Sequence, residues 1–439
     1  MFVKTRLRVG LVSLALTMLV GTSSALAQDS GEDAGAPLVG KDVTLQRLLD
    51  LAEENAPDVQ VARERTGLGG AAVRGAERFQ PYNPEIEGQL GVGLDAPGVR
   101  RAEVTLKQRL EVAGQRGQRI EAARTKERVL EAELDAARWR VSQEIRRLYR
   151  QALVDRRNVE VEDASLEFTR RLHRIAGQRF EAGEAARTSV IIARAEVARA
   201  KQRRLDARMD YDQTVRELAT VVGWEEQRPP KPTGELEQAA PAPETDRLLE
   251  AVVAQDPTLN VFRARLEQAQ ADVDVRRREV WPDPIVGVGF ERERIGTSGV
   301  ASQLRFVLGV PLPLWNRNQG EIGEARARTS VYRRAIETRT RALRNRVAQR
   351  AAAVDAAFGQ AQIYQEEVLP ALETQLDLLQ EGFELGELSL LDVMNARDRL
   401  LAVQRQYLGA LREYYLAISE LEALLGTAIE DENTKGDDR

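Results

Sequence analysis

One stretch of this chain occurs twice, and nothing else in the sequence limits the fold as strongly. The run RFEAGEAARTSVIIARAEVARAKQ at 179–202 returns as GFELGELSLLDVMNARDRLLAVQ at 382–404. Phe180 matches Phe383, Gly183 matches Gly386, Glu184 matches Glu387, Val190 matches Val393 and Ala193-Arg194 matches Ala396-Arg397, at a constant offset of 203. Each copy reads as a helix ending near Glu-x-Gly with a second helix starting a few residues later, the tip of a helical hairpin. A repeat this long means two similar halves. The echo reaches upstream, where Asn55-Ala56-Pro57 is answered by Gln255-Asp256-Pro257, and downstream, where Leu218–Gly223 matches Leu421–Gly426.

Residues 1–27 read as a secretory signal peptide. Lys4, Arg6 and Arg8 precede an apolar run from Val9 to Val20, and Ala25-Leu26-Ala27 supplies a small-residue cleavage site. The apolar run is shorter than the ~20 residues a spanning helix needs. The chain has no cysteine, which excludes disulfides and lipid attachment through an N-terminal cysteine. Losing Lys4, Arg6 and Arg8 moves the formal charge from -5 to -8, which argues against nucleic acid as a partner. No later stretch is apolar enough for a membrane helix, so entry into a membrane would have to be by strands.

Such strands are present in both halves. A polar leader (28–43) precedes a helix expected from Thr44, its cap, to about Arg78, broken at Pro57. From Glu85 onward the pattern has period two: Ile86, Leu90, Val92 and Leu94 point one way, Glu85, Glu87, Gln89 and Asp95 the other. After the turn Ala96-Pro97-Gly98, Ala102, Val104, Leu106 and Leu110 alternate with Arg101, Glu103, Thr105, Lys107 and Arg109. The second half repeats this with Val286, Val288 and Phe290, a turn at Gly296 to Gly299, and Leu304, Phe306, Leu308 and Val310 against Gln303 and Arg305. Each strand is about ten residues, the length that a tilted strand needs to cross a bilayer core. A small soluble sheet packed on helices is the plainer alternative; full charges on the polar faces and the lack of any segment to cover both hairpins favour a water-filled lumen with lipid outside.

Long helices follow the strands. Leu130, Leu134, Ala137, Val141, Ile145, Leu148 and Ala152 step by three or four, as do Leu343, Val347, Ala351, Val354 and Phe358, then Leu369, Leu372, Leu376, Leu379 and Phe383. Leu400 to Leu425 run back against them as a coiled-coil seam, and Pro370 is expected to bend the ascending helix. At the helix starts, Arg116 is paired with Arg317. The resulting organisation is a first repeat over 44–223, with a β-hairpin at 85–110 and a tip near 183–188, and a second over 246–426, with a β-hairpin at 285–311 and a tip near 386–389. A Pro-rich linker (224–245) joins them, and an acidic tail (427–439) follows.

Four membrane strands cannot close a barrel, since even eight enclose only enough room for their own side chains. Three copies would give twelve. At this point the residues carry a resemblance: the ordered set of signal peptide, duplicated helix, strand pair and long hairpin, the FEAGE and FELGE tips, and PLPLWNRNQG at 311–320 is similar to TolC-type outer-membrane efflux channels. PLPLWNRNQG and the overall pattern look most like the heavy-metal branch of cobalt-zinc-cadmium and copper-silver exporters.

The resemblance implies a mostly α fold with a small β part: a homotrimer with a twelve-stranded transmembrane β-barrel in the cell outer membrane, continued by a periplasmic α-helical barrel. It implies the passive exit duct of a tripartite efflux system, docked to a periplasmic adaptor (membrane fusion protein) and a proton-driven inner-membrane pump of the RND type. By the same resemblance Asp392 occupies the acidic place of a periplasmic gate, whose next place is Asn395 and whose first-repeat counterpart is Ser189. Ser389-x-x-Asp392 equally reads as a capping box. Gly183, Glu184, Gly386, Glu387 and Leu388 would be the adaptor-docking tips; their glycines also suit tight left-handed turns. Phe79, Tyr82, Trp281 and Trp315 flank the strands on what would be the periplasmic side, as interface aromatics or as packing between barrel and helices.

No catalytic, cofactor-binding or metal-binding residue is expected. His173 is the sole histidine and lies in an Arg-rich helix; beyond the signal peptide the methionines are Met209 and Met394. No soft-ligand set can be assembled from these, and no carboxylate spacing singles out an acid/base pair. Two readings remain beside the leading one: an organic-solute or drug channel of the same fold, and a periplasmic coiled-coil adaptor or scaffold that never enters a membrane.

Overall fold

Helix starts and breaks in the two halves follow the same local chemistry. In the computed structural model Thr44 caps α1 (Leu45–Asn55), its side chain accepting from the Arg47 N–H at 3.4 Å. Ala56 is extended, and Pro57 then opens α2 (Pro57–Ala76), so the expected broken helix is two helices. The second half repeats this with α5 (Thr245–Gln255) and α6 (Pro257–Arg278), where the Asp256 carboxylate caps the Leu259 N–H at 2.5 Å. The structure describes residues 40–92, 100–236, 238–294, 299–384 and 387–425. The expected signal peptide, the acidic tail, Ala96-Pro97-Gly98, most of the second strand turn and Gly386 lie outside them.

Each half then runs through a strand pair into a long hairpin. The first has β2 (Glu85–Val92), β3 (Arg100–Arg109), α3 (Gln115–Glu181) and α4 (Arg187–Val222). The second has β5 (Ile285–Arg294), β6 (Val300–Gly309), α7 (Gln319–Ile363), α8 (Leu369–Glu384) and α9 (Leu390–Leu425). α3 is 67 residues without interruption, roughly 100 Å at 1.5 Å per residue. Between α7 and α8 the chain makes one π-helical turn over Tyr364–Val368. That wider turn lies immediately before Pro370, whose ring would otherwise meet the Glu366 carbonyl of a regular α-helix.

The hydrophobic seams are buried as their spacing requires. Leu48, Ile145, Leu148 and Leu218 join α1, α3 and α4; Leu248, Leu343, Val347, Val354 and Leu421 join α5, α7 and α9. Near the tips Phe168 and Leu172 of α3 pack with Phe383 of α8 and Val393 of α9. α3 thus packs against both α4 and α9.

Two features of the fold are not read from the sequence. First, the leader and the linker meet in a short ladder: β1 (Lys41–Val43) pairs in parallel with β4 (Pro230–Pro232). Prolines cannot donate to a ladder, yet the Lys41 N–H reaches the Pro229 carbonyl at 3.0 Å and the Thr233 N–H reaches that of Val43 at 2.9 Å. Beyond β4, the Ala240 N–H donates to the Tyr414 hydroxyl and that of Ala242 to Asp355, which ties the linker to the helices. Secondly, Arg116 is not the structural counterpart of Arg317. The equivalent residues are Gly114 and Asn318, both left-handed N-caps with φ of 78° and 58°. In each case the next glutamine folds its carbonyl back onto the backbone, Gln115 to Ala113 N–H at 2.8 Å and Gln319 to Arg317 N–H at 2.7 Å.

Candidate functional site

The four long strands form one antiparallel sheet in the order β2-β3-β5-β6, which joins the two repeats through β3 and β5. Its register sorts the side chains cleanly. One face carries the cross-strand row Ile86, Leu106, Val288 and Phe306, and beside it Val104, Phe290 and Leu304. These apolar groups are exposed, Phe306 by 77% and Leu90 by 89%, which no water-facing sheet would sustain over so many neighbours. β2 and β6 are edges, each with one strand partner among the described residues.

The opposite face is charged and internally paired. Glu103 and Glu291 are direct neighbours across β3 and β5, a repulsive arrangement by itself. Arginines resolve it: Arg101 Nε lies 2.7 Å from Glu291 and its Nη2 3.1 Å from Glu293, while Arg305 bridges Glu103 at 3.1 Å and also contacts Glu291. Gln303 donates to Glu291 at 2.7 Å, so this carboxylate, 2% exposed, is enclosed by cations and an amide. Gly287 and Gly289 let the strands carry this network: a Cβ on either would come within 2.8 Å of Leu106 O or Thr105 Oγ1. Sequence alternation gave the two faces; it could not give these partners, which depend on register across separate repeats. At the helix end of the sheet Phe79, Trp281 and Trp315 are exposed, and Tyr82 lies under the Arg109 guanidinium at 4.8 Å.

The hairpin tips lie at the other end of the long helices. Gly183 has φ 79°, and the Glu184 N–H reaches Arg179 O at 2.8 Å while that of Gly183 reaches Phe180 O at 3.0 Å, a Schellman closure. In the second tip the Glu387 N–H bonds Gly382 O at 2.9 Å, the same six-residue closure; Gly386 itself lies outside the described residues. Glu184 and Glu387 are exposed, whereas Leu388 is half-buried and packs over Gly382.

Ser389 and Asp392 form a reciprocal capping box. The Ser389 N–H and O–H donate to Asp392 Oδ2 at 3.2 and 2.6 Å, and the Asp392 N–H donates back to Ser389 Oγ at 3.3 Å. Both Asp392 and Asn395 remain exposed on α9. Ser189 is half-buried in the first turn of α4, whose N-cap, Ala186, has no side chain to cap with. No hydrogen bond joins Ser189 to Asp392 among the described residues; Asp392 bonds Ser389.

Arg179 was not singled out by the sequence. Its guanidinium donates to Phe383 O at 2.7 Å and lies 4.5 Å from the Phe383 ring centre, clamping the first tip to the second. A cation at a helix C-terminus meets carbonyls that the helix leaves unbonded. The only sequence hint is that the repeat fails here, since Arg179 faces Gly382 across the duplication.

Among the described residues no helix is long and apolar enough to cross a membrane, and no group of three His, Cys, Asp or Glu could hold a metal ion. The family model described as "Outer membrane efflux protein" matches residues 48–224 and 248–427, one segment for each repeat. The chain is 27% identical to the cobalt-zinc-cadmium resistance protein CzcC of Cupriavidus metallidurans, covering 94% of this chain and 98% of that one. Its fold is similar to that of CusC, solved in a study of folding and transmembrane channel formation, with a TM-score of 0.71 over 91% of this chain and 96% of that one at 17% identity. It is similar also to the CmeC outer membrane channel of Campylobacter jejuni, with a TM-score of 0.67 over 89% and 88% of the two chains at 15% identity. A two-segment match that follows the duplication, on a fold of this kind, makes the chain a member of the outer membrane efflux protein family.

Proposed function

We propose that this protein is the outer-membrane exit duct of a tripartite heavy-metal efflux system, working as a homotrimer. The observation that carries the duct is the sheet: among the described residues it has an apolar face with nothing over it, a charged face opposite, and two edges without a further strand. Three copies joined edge to edge close twelve strands, put the apolar rows in lipid and turn the Glu103, Glu291 and Arg305 face to a water-filled lumen. The long hairpins continue that lumen through the periplasm. Three subunits are the number that the family resemblance implies, and twelve strands leave the lumen that eight would fill with their own side chains.

The cargo is inferred from the likeness to CzcC, whose name gives cobalt, zinc and cadmium. The donor chemistry agrees with passage rather than retention, because Glu103, Glu291 and Glu293 on that face are already paired with arginine. The duct performs no chemistry of its own and draws on a proton-driven pump of the RND type in the inner membrane through a periplasmic adaptor. Gly183, Glu184, Gly386, Glu387 and Leu388 present the adaptor-docking end. Asp392 supplies one acidic ring of the periplasmic gate, with Asn395 a turn further on and Ser189 as its first-repeat counterpart on α4. The capping box engages one Asp392 oxygen, Oδ2, so the other is free to face ions.

A deletion strain carrying the gene on a plasmid tests cargo and duct together. Loss should lower tolerance to zinc, cobalt and cadmium and raise cell-associated metal, with tolerance to organic drugs unchanged. Drug sensitivity with normal metal tolerance would move the reading to an organic-solute channel, and recovery of the protein in the soluble periplasm without detergent would overturn the duct.

A further inference from the structure

The sheet carries a basic patch on its apolar face that no protein group among the described residues neutralises. The β3–β5 register sets Arg100 directly opposite Arg294, and Arg292 projects from the same face two residues earlier on β5. By strand alternation this is the face of Val104, Leu106, Val288 and Phe290. All three guanidinium groups are exposed, and none has an ion-pair or hydrogen-bond partner among the described residues. The nearby carboxylates, Glu103, Glu291 and Glu293, belong to the opposite face and are held there by Arg101 and Arg305. Like charges directly opposite in a sheet repel, so the pair Arg100–Arg294 is an arrangement that an anion would relieve.

The position of the patch says what kind of anion. The ladder runs nine residue steps from Arg109–Ile285 at the helix end to Arg100–Arg294 at the turn end, about 30 Å along the strand and near 25 Å of height once tilted. The apolar band occupies the interval, with Trp281, Trp315 and Phe79 at its helix end. The arginines therefore stand where the far leaflet gives way to its headgroups. Guanidinium forks suit phosphate oxygens bidentately, and their attraction strengthens beside low-dielectric lipid.

We propose that Arg100, Arg292 and Arg294 form a docking site for the phosphorylated headgroup of an outer-leaflet lipid of the lipid A type. The inference rests on the reading that the apolar face meets lipid. The test uses the full-length purified protein in detergent with fluorescently labelled diphosphoryl lipid A. Competitors are inorganic phosphate and the same acylated sugar stripped of phosphate. Arg100→Gln/Arg292→Gln/Arg294→Gln should weaken binding about tenfold or more, since each arginine offers a charge-assisted contact, while the remote surface change Arg333→Gln leaves it unaltered. Millimolar inorganic phosphate should not displace the lipid. Equal binding by the triple variant, full displacement by inorganic phosphate, or equal binding of the phosphate-free lipid would each overturn the proposal. Should the triple variant fail to assemble, Arg100→Gln and Arg294→Gln singly decide it, since each must weaken binding. Spin labels at Leu90 and Leu308 separate the two levels: labels in water sink the membrane reading itself, whereas labels in acyl chains with unchanged lipid A binding sink only the headgroup site.

Discussion

The two repeats are joined inside the helical body by a buried ion pair, whose removal should show whether it holds them together or merely tolerates burial. Arg150 of α3 donates through Nη1 to Glu422 Oε2 of α9 at 2.7 Å and through Nη2 to Oε1 at 3.1 Å, with Ser419 Oγ a further 3.2 Å contact. Side-chain exposure is 4% and 1%. Glu422→Leu leaves the guanidinium in a nearly dry site without its carboxylate, a loss of about 3–5 kcal/mol for a broken buried pair. Replacing both ends, Arg150→Met with Glu422→Leu, removes the charge as well as the attraction and should return stability to near wild type or about 1–4 kcal/mol above it. Urea unfolding of the detergent-solubilised protein, followed by circular dichroism with the assembly state checked by gel filtration, measures both. If the double variant is as unstable as Glu422→Leu alone, the cost was packing rather than the broken Arg150–Glu422 pair and the reasoning fails.

Two left-handed glycines separate steric from conformational cost. At Gly223, φ 72°, a Cβ would sit 2.2 Å from Asn55 O, so Gly223→Ala should destabilise by about 2–4 kcal/mol; at Gly183, φ 79°, nothing lies within 4 Å and Gly183→Ala should cost about 1–2 kcal/mol. Thermal melts that rank Gly183→Ala as the worse of the two would contradict the close approach. Asp392→Asn keeps an acceptor for Ser389 but removes the charge, so the melting temperature should hardly move while cation selectivity in planar bilayers falls; unchanged selectivity would leave Asp392 as a cap alone. Burial raises the Asp272 carboxyl above the usual carboxylate range against the pull of Arg276 and Arg328. The folded state then binds this proton more tightly than the unfolded chain, so ionisation of Asp272 costs stability as pH rises and the cost vanishes at low pH. Asp272→Asn should melt higher than wild type at pH 7 and equal to it below about pH 4, where a model carboxylate is protonated.

Much of this architecture was legible because its signals are local and periodic. Period-two alternation predicts which side chains share a face, and the ladders over Glu85–Val92, Arg100–Arg109, Ile285–Arg294 and Val300–Gly309 keep those faces; Leu94 and Asp95 lie outside the described residues. Thr44 and Pro57 predict a cap and a break from their own chemistry. What stayed hidden depends on partners distant in sequence. β1 and β4 are three residues each with partners 189 residues apart, and β4 is two-thirds proline, which argues against a strand on composition. The pairing of Arg116 with Arg317 followed residue identity, whereas the structural equivalence is a backbone one: Gly114 and Asn318 share a left-handed conformation that both residue types accept. Of the residues proposed for the tips, Leu388 differs most from the expectation of a free docking surface, because the missing side chain at Gly382 lets it fold inward.

The departures from the repeat fall where a perfect duplication would not suffice. Two identical tips would offer two identical surfaces; instead Arg179 in the first copy reaches across to Phe383 in the second, and Gly382 in the second makes room for Leu388. The helix that follows is capped by Ser389 and Asp392 in one tip and by no side chain at Ala186 in the other. The sheet shows the same division of labour. Arg305 of the second repeat bridges Glu103 of the first and Glu291 of the second, and Arg101 of the first reaches Glu291 and Glu293 of the second, so the two hairpins share one charge network. Each half thus supplies the countercharge or the space that the other lacks, which binds two copies of one ancestral unit into a single asymmetric subunit. Restoring symmetry is therefore damaging in one direction: Arg179→Gly removes the clamp, and the second tip loses its hold on the first even though both hairpins stay intact. Electron-spin distance measurements between labels at Glu184 and Glu387 should broaden in that variant, and an unchanged narrow distribution would show that the Phe168, Leu172 and Val393 packing alone fixes the tips.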